Sequence, residues 1–234
     1  MSNVLPPLAL LDDLQHCDER LLRTVDTLSD DDLRADSLLP GWSRAHVLAH
    51  IALNGEGLAG VLEGLAADRD EPMYRSDEAR DADIEALSAS PGPALRERLD
   101  SAATRFREAA ASAPDHGWER VVLRTPGRRA FPAHTVVERR HREVEIHHAD
   151  LDAGYSPDDW PADFLERTFR EVLQDRRDGP PVQLRTPEDE AVIGDGRGPT
   201  VTGSRADVTW WLLGRGTGTG LTCDTDLPAL GAWR

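Results

Sequence analysis

Apolar residues recur at the helical period in four long stretches of the first 155 residues, and this limits the fold more than any other feature. PPLALLDDLQHCDERLLRTVDTLSD places Leu8, Leu11, Leu14, Leu21 and Leu22 along one stripe. In the next stretch Pro40-Gly41 marks a turn, Ser43 stands where an N-cap belongs, and a long amphipathic helix follows. Pro91 to Pro93 lead into ALRERLDSAATRFREAAASA, with Leu95, Leu99, Ala102, Ala103 and Phe106 on one face. The period resumes at His134 and stops at Gly154. Between these stretches, EPMYRSDEARDADIEAL is polar and turns helical near Ser76 or Asp77, and residues 114–133 are turn-rich with one short strand expected at 121–124. Four apolar faces must be buried on one another, which predicts a four-helix bundle over residues 1–155.

Residues 156–234 read differently. One further helix, PADFLERTFREVLQDRRD, precedes short β-leaning pieces (VQLRT, EDEAVIG, GPTVTG), a helix RADVTWWLLGRG and a last strand-like GLTC. This mixture predicts a small α+β domain and an α+β chain overall. Trp210 and Trp211 are expected in its core, and Trp42 as a packing residue where its helix begins.

Composition narrows the function. The formal charge of -16 excludes non-specific nucleic-acid binding, which needs a basic face. An anionic small molecule would need a local cationic pocket. No apolar run is long enough to span a bilayer, and MSNVLPPLALLDDLQHCDE has no basic start, so neither membrane insertion nor a signal peptide is expected. All 27 basic residues outside histidine are arginine, so Schiff-base lysine chemistry is out. Two cysteines, Cys17 and Cys223, make no disulfide framework; both read as small apolar core residues of a cytoplasmic protein. A monomer is expected.

The histidines are placed for metal chemistry. His46 and His50 lie four apart on the second helix, and His141, His147 and His148 crowd the fourth. Glu143 precedes His147 by four, so the two share a face. Two such donors and an imidazole from another helix make a three-ligand set with open coordination, the catalytic arrangement. Spacing alone does not choose between His50 and His46, or between Glu143/His147 and Glu145/His148. A surface pair of Glu143 with Arg139 or Arg140 is the alternative.

SLLPGWSRAHVLAHIALN and REVEIHHADLDAG together resemble the signature pair of the mycothiol-dependent maleylpyruvate isomerase family, whose N-terminal domain is a DinB-like bundle. The resemblance implies His50, Glu143 and His147 as metal ligands. EPMYRSDEAR resembles a loop of the isomerases themselves, and VTGSRADVTWWLLGRG their C-terminal domain, whose Gly-Arg-Gly implies a catalytic role for Arg215. Arg80 and Arg215 are the expected contacts for a dianionic substrate, and His46, His148 and Asp150 are either supports of the site or surface groups. The implied reaction isomerises 3-maleylpyruvate, the ring-opened product of gentisate, to 3-fumarylpyruvate. Mycothiol is the thiol cofactor and zinc the expected metal. A mycothiol S-transferase is the alternative within this scaffold, and a non-catalytic binding module the alternative outside it.

Overall fold

The computed structural model describes residues 7–127 and 130–233; Pro6 and the residues before it, read with the first stretch, lie outside them. The chain divides into two compact units, Met1–Gly154 and Tyr155–Arg234.

In the first unit a short 3-10 turn leads into α1 (Leu11–Asp26), followed by α2 (Asp30–Arg34), α3 (Arg44–Ala66), α4 (Asp77–Ser88) and α5 (Gly92–Ser112). β1 (Val121–Leu123) pairs antiparallel with β2 (Ala130–Pro132), and α6 (Val136–Asp150) closes the unit. Helices α1, α3, α5 and α6 are the four read from periodicity. α3 is the central one: most of its residues from Ala45 to Leu65 are buried, among them Val47, Leu48, Ile51, Leu58 and Leu62, with Glu56 and Glu63 on its one half-exposed stripe. Leu14 and Leu21 of α1, Leu95, Leu99 and Phe106 of α5, and Val136, Val137 and Val144 of α6 complete one core.

The start of α3 is set locally. Ser43 Oγ accepts from the His46 backbone N–H while His46 Nδ1 accepts from the Ser43 N–H, a reciprocal cap that satisfies orphan donors at each end of the turn. Arg44 then reaches α6, donating through Nε to the Leu151 carbonyl at 2.7 Å and through Nη2 to that of Asp152 at 2.8 Å. These bonds fix the start of α3 against the end of α6, the two helix segments that bear the conspicuous histidines.

In the second unit α7 (Ala162–Arg176) precedes β3 (Val182–Arg185), β4 (Glu190–Ile193), β5 (Thr200–Thr202), α8 (Arg205–Leu212) and β6 (Thr222–Cys223). The strands form one mixed sheet in the order β4-β3-β5-β6, with β3 and β5 parallel and the other pairs antiparallel. Its core holds Phe164, Phe169 and Val172 of α7, Val182, Leu184, Ile193 and Val201 of the sheet, and Val208, Trp211 and Leu212 of α8. Trp210 is only half-buried and packs edge-on to Trp160 at 5.9 Å. The chain is therefore α+β, as its patterning predicts. Among the described residues no helix is long and apolar enough to cross a membrane.

Two sequence readings need correction. α2 was not expected, although Ser29 and Asp32 form a complete capping box around it. Cys17 is buried within the hydrophobic core, as read, and in addition its thiol donates to Glu145 Oε1 at 2.7 Å. Cys223 is half-buried at the edge strand β6 rather than in the core.

Candidate metal centre

His50 projects from the second turn of α3, and Glu143 and His147 from successive turns of α6. His50 Nε2 lies 2.9 Å from Glu143 Oε2 and 3.1 Å from His147 Nε2, and His147 Nε2 lies 3.3 Å from Glu143 Oε2. Three donor atoms thus converge on one point from two helices. Donors about 2.0–2.1 Å from a cation stand about 3.3 Å apart when four-coordinate and about 2.9 Å apart when six-coordinate. The observed separations span that interval, so the residues present fit a divalent metal. With three protein ligands, positions for other groups stay open.

The surroundings support this set. Asp150, fully buried, accepts a hydrogen bond from His147 Nδ1 at 2.9 Å. That bond fixes the tautomer in which Nε2 is free to ligate, the usual carboxylate–histidine support of a metal site. Burial pushes His50 down to about 4, against the pull of Glu143, so its ring is neutral at physiological pH. Burial acts in the same sense on His147, but the bonds to Asp150 and Glu143 outweigh it and hold that ring up at about 9. Burial likewise opposes ionisation of Glu143, and the two imidazoles outweigh it and keep the carboxylate charged. The cluster without a cation is therefore a proton held among three ligands.

The sequence left His46 and His50 as rivals. His46 is spent on the cap at Ser43, and its Nε2 faces Glu85 Oε2 at 3.1 Å on an exposed edge. The Glu145/His148 pair is turned the other way: both are fully buried, with Glu145 toward α1 and His148 Nε2 2.8 Å from Thr24 Oγ1. Arg140 is no surface partner for Glu143. Completely buried, it donates to the Ile51 carbonyl at 2.6 Å and to Asn54 Oδ1. It crosses α3 at Gly55, where a Cβ would stand 3.1 Å from the guanidinium carbon.

Arg80, on the first turn of α4, points at the cluster and donates from Nη2 to His50 Nδ1 at 3.1 Å. A guanidinium only donates, so Nδ1 here is the bare nitrogen. A neutral imidazole bound to a cation through Nε2 keeps its proton on Nδ1, so loading the site requires Arg80 to give up this bond. Two further residues form the wall. Trp42 stands edge-on to His50 at 5.7 Å, beyond the packing role read for it. Tyr74, in the loop before α4, lies between the guanidinium groups of Arg80 and Arg124 at 5.9 and 5.3 Å. Burial first, and the Glu143 charge second, push its hydroxyl up to about 12. The EPMYRS motif was noted in sequence, but nothing in its spacing marked Tyr74.

Arg215 belongs to the second unit. Gly214 follows the last turn of α8 with φ +74° and its N–H bonded to the Trp211 carbonyl, a left-handed helix stop that L side chains resist. Gly216 has φ +66°, so Arg215 sits half-buried between two glycine-dependent bends.

A family model described as "Mycothiol maleylpyruvate isomerase N-terminal domain" matches residues 14–152, and the "MDMPI C-terminal domain" matches residues 159–232. The chain belongs to this family. It is an enzyme family, and the likeness extends to solved structures. A crystal structure of mycothiol-dependent maleylpyruvate isomerase is 28% identical to this chain, covers 100% of both chains and superposes with a TM-score of 0.88. The crystal structure of an alanine mutant under the same name is 27% identical, with the same coverage and TM-score. A search of curated protein sequences gave no match.

Proposed function

We propose that this protein converts maleylpyruvate to fumarylpyruvate with mycothiol as its thiol cofactor, and that His50, Glu143 and His147 hold the divalent metal it needs. The observation that carries the reading is the convergence of their three donor atoms, with Asp150 behind His147. Family membership supports the thiol and the substrate.

The chemical problem is rotation about a carbon–carbon double bond. Addition of a thiolate to one alkene carbon leaves a single bond that turns freely, and expulsion of the thiolate restores the alkene in its trans form. A free thiol has a pKa near 8.5, so little of it is reactive at neutral pH. A bound divalent cation supplies the charge that favours the thiolate. The protein's own residues do the rest. Glu143 and the two imidazoles fix the position of that charge. Asp150 keeps His147 oriented, and Trp42 and Tyr74 bound the space beside His50. Arg80, once off His50 Nδ1, offers a guanidinium to one substrate carboxylate. Arg215 is assigned to the other carboxylate or to the enolate charge that addition develops. Zinc suits the donor set.

The test is an ultraviolet assay of maleylpyruvate with metal-replete enzyme, with and without mycothiol. Formation of fumarylpyruvate that needs mycothiol and is lost in His50→Ala is the expected result. Stoichiometric metal without isomerisation would sink the assignment and turn the search to thiol transfer onto electrophiles.

A further inference from the structure

α6 carries a second pair four residues apart, His141 and Glu145, interleaved with Glu143 and His147 but on the opposite side of the helix. It faces α1. There Cys17 Sγ lies 2.7 Å from Glu145 Oε1 and 3.1 Å from His141 Nε2, and His141 Nε2 is 3.8 Å from Glu145 Oε1. All three residues are at most 2% exposed. We propose that Cys17, His141 and Glu145 form a second divalent-cation site, one that takes a borderline or soft ion such as zinc or cadmium.

The donor set is the first reason. A thiol, an imidazole and a carboxylate gathered from two helices into one buried point are the ligand types such ions accept, and sulfur favours the softer ones. Geometry is the second. Bonds of about 2.3 Å to sulfur and 2.0–2.1 Å to nitrogen and oxygen place tetrahedral donors about 3.3–3.6 Å apart. The present separations bracket that range and need changes of under about an ångström.

Charge balance is the third. Arg20 Nη2 now neutralises Glu145 at 2.5 Å and lies 3.2 Å from Cys17 Sγ. The neutral assembly is a thiol, a carboxylate and a guanidinium. A divalent ion would take the place of both positive partners: the S–H bond breaks, the proton leaves to solvent, a sulfur–metal bond forms, and the Arg20 side chain, already 28% exposed, withdraws outward. Thiolate, carboxylate and dication again sum to zero, and nothing is oxidised or reduced. Such an ion would fasten α1 to α6 from behind, holding the helix that presents Glu143 and His147.

Cobalt(II) distinguishes the two sites because the His50 cluster contains no sulfur. The metal-free full chain, titrated with cobalt(II), is expected to bind two equivalents, one of which produces a sulfur-to-cobalt charge-transfer band in the near ultraviolet. That band should survive Cys223→Ser and His50→Ala and vanish in Cys17→Ser, whose folding is checked by circular dichroism. Titrations of the unmodified chain and Cys223→Ser decide the matter even if Cys17→Ser fails to fold. Saturation at one equivalent without the band, a second equivalent without the band, or a band lost in Cys223→Ser or His50→Ala would overturn the proposal and leave Arg20 as the permanent partner of Glu145. A single equivalent that gives the band and keeps it in His50→Ala would instead count against the His50 cluster.

Discussion

His147 is bonded to one carboxylate at each ring nitrogen, Asp150 at Nδ1 and Glu143 at Nε2, and together they hold its proton where burial alone would expel it. The consequences can be measured. A cation bound at Nε2 must displace that proton, whereas His50, held down at about 4, has none to lose above that pH. Apparent metal affinity should therefore rise about tenfold per pH unit up to about 9, and level off beyond. Competition with a chromogenic chelator at pH 6, 7 and 8 reads this slope; a flat profile would separate His147 from the metal. Asp150→Asn tests the other end of the ring. The amide keeps the shape but removes the charge that raises the basicity of His147, so metal affinity should fall by about 10- to 100-fold. An unchanged dissociation constant would reduce Asp150 to a packing residue.

At the scale of elements, the wall of the site hangs on a loop that only a glycine admits. Residues 72–76 are pinned to the end of β1 and the residue after it by Met73 N–H to the Leu123 carbonyl and Tyr74 N–H to the Arg124 carbonyl, both at 2.9 Å. They pass so close to α3 that a Cβ at Gly57 would stand 2.7 Å from the Met73 carbonyl oxygen. Alanine in a helix interior ordinarily stabilises by about 1 kcal/mol over glycine. Here the contact is with backbone, and Gly57→Ala should instead destabilise by about 1–3 kcal/mol. It should also lower turnover by shifting Tyr74 and Arg80, with the metal retained. A raised melting temperature and full activity would contradict this. The same comparison explains what the sequence disclosed. The helices showed because their apolar stripes have a period, and the grouping of His50 with Glu143 and His147 was legible once a motif resemblance chose among faces. α6 shows why spacing alone stops short. RHREVEIHH has polar donors on every side, so nothing in it tells that Arg140, Glu145 and His148 are buried while Glu143 and His147 border a site. Only the partners on α1 and α3 decide that, and those are tertiary facts. β2 was hidden for a plainer reason: it is three residues long and ends in Pro132, a poor strand former.

At the scale of the whole molecule, the proposed labour is divided between two units with separate cores: the metal ligands all belong to Met1–Gly154, and Arg215 to Tyr155–Arg234. That division allows binding and turnover to be separated by one substitution. The bend around Arg215 is set by Gly214 and Gly216 rather than by the arginine's own backbone preference, so Arg215→Ala leaves both glycine turns in place. If its guanidinium serves the substrate's charge, removal should cost about 10²–10³ in kcat, the usual loss when one donor to developing negative charge is deleted. Metal stoichiometry and the pH slope of metal uptake should stay as in the unmodified enzyme. Arg215→Lys adds a control, because it keeps the charge and loses the planar fork; partial recovery is expected, since a point charge still attracts a carboxylate but cannot grip it with two bonds. Loss of metal together with activity would assign Arg215 a structural part instead. Undiminished turnover would confine the chemistry to the first unit and make the second a support for it.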